Sequence, residues 1–331
     1  MVKSLDDISH SDSDPSPKVV AFGGGTGMSI LLSGLKAYAR DIRAVVTVSD
    51  NGGSSGRIAR DFEISPPGDF RNCLLALSEV DPLLKKLLSY RFEEGDVLGH
   101  SVGNLLLTAL TRETGNFEEA LEEAGRLLGV SGGVYPATNR RVVLVASHPD
   151  GSRSSGETQI VASRKRIDHV RLLPDPGRVS SQVREAILGA DLIILGPGSL
   201  YTSVIPNLLV GGMVEAIRES GAPVVAVINI MTQRGETDRY TAGEHLRALL
   251  EHSEPGFVDY CLVHQGDIPE SALDRYVYMG SEVVELDVDV FEREGVELLR
   301  DDLVDVGEFI RHDPGRLARA VLKLLNLRSL I

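Results

Sequence analysis

The chain has 331 residues, 48 of them Asp or Glu against 34 Lys or Arg, for a formal net charge of −14. A field of that sign repels phosphate backbones and anionic lipid heads, and no basic stripe offsets it, which argues against nucleic-acid and peripheral membrane roles. With 42% hydrophobic residues and no apolar run of about 18, the composition is that of a globular protein with a sizeable core and no membrane-inserted segment.

The first 17 residues, polar, acidic and ending in proline, read as a disordered tail with no apolar targeting region. From Lys18 onward one α/β domain is expected to run to residue 331. "KVVAF" is a β-type run, "GGGTG" a glycine turn, "MSILLSGLKAY" an amphipathic helix and "IRAVVTV" the next strand. That order is a βαβ unit with a right-handed crossover. Residues 69–130 read as a helical insertion in which Asp69 stands as a helix N-cap after Pro66 and Pro67. A small β-rich segment follows at 140–175, where "RRVVLVAS", "GETQIVAS" and "IDHVRLL" are short β-type runs between turn-rich stretches. Alternation resumes at "SQVREAILGA" and "DLIILGPGSLYTS" and continues through "PVVAVIN", "TAGEHLRALLEH" and "VDYCLVH", with Thr241 and Glu244 as a capping box. A helix bearing Leu317, Val321 and Leu324 on one side closes the chain. The fold class is a Rossmann-like, doubly wound, mostly parallel sheet, whose ligands collect at the carboxyl ends of the strands.

Polar and glycine residues gather at those ends. In "GGGTG", Gly24, Gly25, Thr26 and Gly27 offer unpaired N–H groups at a helix start, a seat for an anion, without Walker A or G-x-G-x-x-G spacing. Gly196, Gly198, Ser199 and Tyr201 in "GPGSLYTS" repeat the arrangement, and two such loops can supply a diphosphate from two sides. "SDNGGSSGR" contributes Asp50, Asn51, Gly52, Gly53, Ser54 and Arg57; Asp50 ends a strand where an acid can hold a ribose, a substrate hydroxyl or a divalent cation. "PPGDFRN" adds Asp69, Arg71 and Asn72. Asn104 lies in an apolar run and needs a partner in the protein or a ligand. Asn229, Thr232, Gln233, Glu236, Thr237 and Asp238 follow another strand end. Asp50 and Asp69 are the candidates for catalysis, but no nucleophile elbow or histidine metal motif is present, and no general base is assigned. Cys73 and Cys261 lie apart and read as core residues of a reducing cytoplasm. Binding is better supported than any particular reaction.

With these loops in order, the chain resembles the YvcK-like gluconeogenesis factors, within the superfamily of the 2-phospho-L-lactate transferase CofD. The resemblance rests on "GGGTG", "VTVSDNGGSSGR", "PPGDFRNCLLALSE", "GHSVGNLLL", "GPGSLYTSVIPNLLV" and "IMTQRGETDRYTAGEHL". It implies a cytoplasmic regulatory protein that binds UDP-sugars such as UDP-N-acetylglucosamine and is linked to carbon metabolism, cell shape and cell-wall precursor supply. The alternative it implies is CofD-like transfer of a phospholactyl group from a nucleotide diphosphate-linked donor, with Mg²⁺. Asn51 stands where the family usually has a second aspartate, which favours hydroxyl recognition over a dedicated metal site. Self-association and a protein partner that receives a regulatory signal are further expectations.

Overall fold

The structure is a computed structural model that describes residues 16–328. Most of the expected acidic tail lies outside the described residues.

The central sheet has seven strands, all parallel: β1 (Lys18–Gly23), β2 (Asp41–Val46), β3 (Gly132–Pro136), β7 (Leu192–Leu195), β8 (Val224–Val227), β9 (Tyr260–His264) and β10 (Glu297–Asp301). Their spatial order is β10-β9-β8-β7-β1-β2-β3. Strand order therefore runs outward in both directions from β1 and β7, where Ala21 is in register with Ala44 on one side and Ile194 on the other. Every residue of β7 and β8 is buried, as a parallel strand covered on both faces requires. With right-handed crossovers, the reversal at β1 and β7 puts the helices of the two halves on opposite faces and opens a crevice at the carboxyl ends.

Helix α1 (Gly25–Leu35) connects β1 to β2. The long passage from β2 to β3 carries α2 (Gly53–Asp61), α3 (Gly68–Leu77), α4 (Pro82–Ser89), α5 (Val102–Thr114) and α6 (Phe117–Leu127). Helices α3 and α6 pack on the sheet, whereas α4 packs on α5 rather than on the strands. The expected helical insertion is thus the β2-to-β3 crossover, part of it in the main helical layer. Asp69 is not the N-cap of α3: Pro67 is, and Asp69 sits inside the first turn.

A separate antiparallel sheet, in the order β5-β4-β6, holds β4 (Val143–Ser147), β5 (Arg153–Ser155) and β6 (His169–Leu173). One run expected to be β-type is a helix: "ETQIVAS" forms α7 (Glu157–Ser163), with Ile160 buried. Asn51 redirects the chain here, its Oδ1 accepting both the amide and the hydroxyl of Thr158, 3.1 Å each. Strand β3, with its two glycines and a proline, carries too weak a β signal to be read from sequence.

Beyond β6 come α8 (Ser181–Leu188), a wide π-helical turn (Leu200–Val204), α9 (Ile205–Leu208), α10 (Met213–Ser220), α11 (Ala242–Glu251), α12 (Glu270–Met279) and α13 (Val288–Glu294). A two-stranded ribbon, β11 (Val304–Val306) with β12 (Ile310–His312), precedes α14 (Pro314–Arg328), which packs on α1. The expected capping box on α11 is present, with Thr241 and Glu244 bonded reciprocally. Among the described residues, no helix is long and apolar enough to cross a membrane.

Candidate functional site

Two of the clefts at the carboxyl ends hold most of the candidate residues. The first, about 380 Å³, lies at the β1/β7 switch and is lined by Thr26 and Gly27 of α1, Pro197 and Gly198 after β7, Asn229, Thr232, Gln233 and Arg234 after β8, and Arg311 and His312 from β12. Its narrow waist depends on glycine: a Cβ at Gly27 would lie 2.6 Å from the Pro197 carbonyl oxygen, so only glycine lets the first turn of α1 approach so closely. Asn229 ties β8 to the same loop, its Oδ1 accepting the Gly198 amide at 3.3 Å and its Nδ2 donating to the Gly198 carbonyl at 2.7 Å. Gln233 donates to Ser199 Oγ at 3.1 Å, a further tie between the segment after β8 and the loop after β7. His312 is buried and kept neutral, its pKa lowered to about 4 by desolvation, and its Nε2 has no hydrogen-bond partner among the described residues.

The second cleft, about 650 Å³, is lined by Asp50, Gly52, Gly53, Ser54, Arg57, Asp69, Arg71, Asn72, Arg91 and Asn104, among others. Asp50 accepts the Gly52 amide at 2.7 Å in a tight Asx turn. Asp69 accepts the N–H of Gly25, so the amide at the start of α1 already has a carboxylate from its own chain. Burial first, and Asp50 second, push the pKa of Asp69 up to about 6. Asn104 finds its partners within the protein: it accepts from Arg71 at 2.9 Å and donates to Ser54 at 3.1 Å.

Sequence reasoning brought these residues into one site; the structure distributes them over two clefts and some places outside both. Tyr201 lines neither: it is buried, with its hydroxyl 2.9 Å from that of Tyr240. Glu236 is buried under the π-helical turn, accepting from Thr202 Oγ1 at 3.1 Å and from backbone N–H groups of that turn, and burial raises its pKa to about 7. Thr237 Oγ1 accepts the Gln233 amide and Asp238 the Gly235 amide, so both shape the loop. Asn51 Oδ1 is engaged by Thr158, leaving its amide nitrogen beside Gly156.

Arg91, Glu157, Arg234, Arg311 and His312 are among the residues that were not foreseen. Glu157 hydrogen-bonds Asp50, and burial with that neighbour pushes its pKa up to about 8. Its signal was masked by the β reading of "GETQIVAS". Arg311 and His312 end a strand just before Pro314 at a helix start, a pattern that marks a strand end but not which crevice it reaches. No group of three or more His, Cys, Asp or Glu able to hold a metal is present among the described residues. Asp50 and Asp69 do face one cleft, and a magnesium ion held by two carboxylates completes its shell with ligand oxygens and water.

Comparison with known proteins agrees with the fold. The family model for the 2-phospho-L-lactate transferase CofD matches residues 19–304. The chain is 46% identical over 307 residues to a gluconeogenesis factor of Halalkalibacterium halodurans, covering 92% of this chain and 95% of that protein. It is 45% identical over 312 residues to the gluconeogenesis factor of Bacillus subtilis, covering 94% and 98%. The crystal structure of protein BH3568 from Bacillus halodurans, at 45% identity, superposes with a TM-score of 0.91 over 93% of this chain and 99% of that one. A second crystal structure of BH3568, described as a member of the UPF0052 family, gives the same TM-score. Similarity of this extent along nearly the whole length, on a shared sheet and with the glycine loops at its switch point, means that the chain belongs to the gluconeogenesis factor family, within the CofD family of folds.

Proposed function

We propose that this protein is a cytoplasmic regulatory protein that binds a nucleotide sugar of the UDP-N-acetylglucosamine type in the first cleft. The observation that carries this reading is the close approach of Gly27 to Pro197, which sets two glycine loops against each other at the switch point. The diphosphate is then bound by the N–H groups of those loops that are not already engaged by Asp69 and Asn229, with Arg311 and Arg234 as counter-charges, while Thr26, Asn229 and Gln233 offer hydrogen bonds to hydroxyls. The link to carbon metabolism, cell shape and cell-wall precursor supply follows from the family resemblance.

Calorimetric titration with UDP-N-acetylglucosamine tests this. Wild-type protein is expected to bind it, and Arg311→Ala to bind about tenfold or more weakly, the effect of losing one charge-assisted contact. Absence of heat from the wild type at millimolar ligand would end the reading. The alternative, a CofD-like transfer, draws support from Asp50 and Asp69 facing one cleft, where they would hold magnesium beside a diphosphate-linked donor.

A further inference from the structure

Three guanidinium groups converge on the second cleft: Arg57 from α2, Arg71 from α3 and Arg91 from the segment joining α4 to α5. Among the described residues none of them has a carboxylate oxygen within 4 Å, in a chain where acids outnumber bases by 48 to 34. Neutral oxygens hold them instead. Arg57 donates to the Leu98 carbonyl at 2.6 Å, and Arg91 to the Gly99 carbonyl. Arg71 donates to Ser101 Oγ, to Asn104 Oδ1 at 2.9 Å and to Asn72 Oδ1 at 2.6 Å, and its Nε is buried without any partner.

Such a cradle is unfavourable by itself. Burial and the charge of Arg91 lower the basicity of Arg71, and the nearby Asp69 carboxylate offsets only part of that effect. Fixing guanidinium groups through neutral acceptors keeps their remaining N–H donors oriented for an anion with several oxygens. Asp50 and Asp69 line the same cleft as hydrogen-bond acceptors, which suits hydroxyl groups on the rest of such a ligand.

We propose that the second cleft is a ligand site distinct from the glycine-loop cleft, and that it takes a small metabolite with a phosphate monoester, its phosphoryl oxygens on Arg57, Arg71 and Arg91 and its hydroxyls on Asp50. The protein then reads two ligands at once. Asp69, which lines this cleft and accepts from Gly25 at the start of α1, is the physical connection between the two sites.

The test is calorimetric titration of the full chain with glycerol 3-phosphate at low salt, with glycerol and malate as controls. Wild-type protein is expected to bind glycerol 3-phosphate saturably and to ignore glycerol. Arg57→Gln and Arg91→Gln are each expected to weaken that binding about tenfold or more, with unchanged thermal midpoints. Arg311→Ala is expected to leave it intact. The proposal is overturned if glycerol 3-phosphate gives no heat at millimolar concentration, if malate binds more tightly, if both arginine variants bind as wild type does, or if Arg311→Ala abolishes binding. These titrations contain no nucleotide, so their outcome is independent of UDP-N-acetylglucosamine binding.

Discussion

Asp50 and Glu157 join two carboxyl groups by a hydrogen bond, and such a contact exists only while one of them carries a proton. Burial first, and Asp50 second, raise Glu157 from 4.5 to about 8 in the folded chain, so the stability tied to its protonated form is complete below pH 4.5 and is lost as pH rises through about 8. Glu157→Gln keeps a donor for Asp50 and removes the titration. Its thermal midpoint is expected to exceed that of wild type at about pH 9 by roughly 3 °C, and not to exceed it at about pH 5. Parallel melting of the two proteins across that range would rule Glu157 out as the titrating group. At this scale Asp50 was legible because it stands between a buried strand run and a pair of glycines. Its partner was not, because nothing local in "SRSSGETQ" announces that the helix start will be pinned to the β2 loop by Asn51 and Asp50.

Between α1 and the loop after β7, the decisive element contact is backbone against backbone. Gly27→Ala would bring a Cβ to 2.6 Å from the Pro197 oxygen and must push the helix start away from that loop. We expect a loss of roughly 2 kcal/mol in urea unfolding, together with weaker UDP-N-acetylglucosamine binding. A variant that binds as wild type does would show that the waist of the first cleft is not used. Most elements of the sheet could be read from apolar runs closed by glycine, since a strand buried on both faces has little freedom in composition. The failures have a common cause: α7 and β3 draw their conformation from tertiary contacts, the first from Asn51 and the second from pairing with β2, where Ala44 meets Val134.

For the whole molecule, α14 covers α1 with Leu317, Val321 and Leu324, all buried. Removing residues after Asp313 uncovers that face, at about 2 kcal/mol for each fully buried aliphatic side chain. Against a total stability of roughly 5–15 kcal/mol, the truncated chain is expected to lose its cooperative thermal transition. A sharp transition near the wild-type midpoint would show that the sheet holds without this helix.

The sequence alone determined the doubly wound class, the family and the end of the sheet at which the candidate residues gather, because strand burial and glycine turns are local requirements written directly into residue order. Tertiary structure alone decided that the candidate residues form two clefts rather than one. It carried Arg311 and His312 from the far end of the chain to the first cleft, and Arg91 to Arg57 and Arg71 in the second. Convergence of charges from separate elements leaves no periodicity or spacing in a sequence; it is set by the order in which the strands pair.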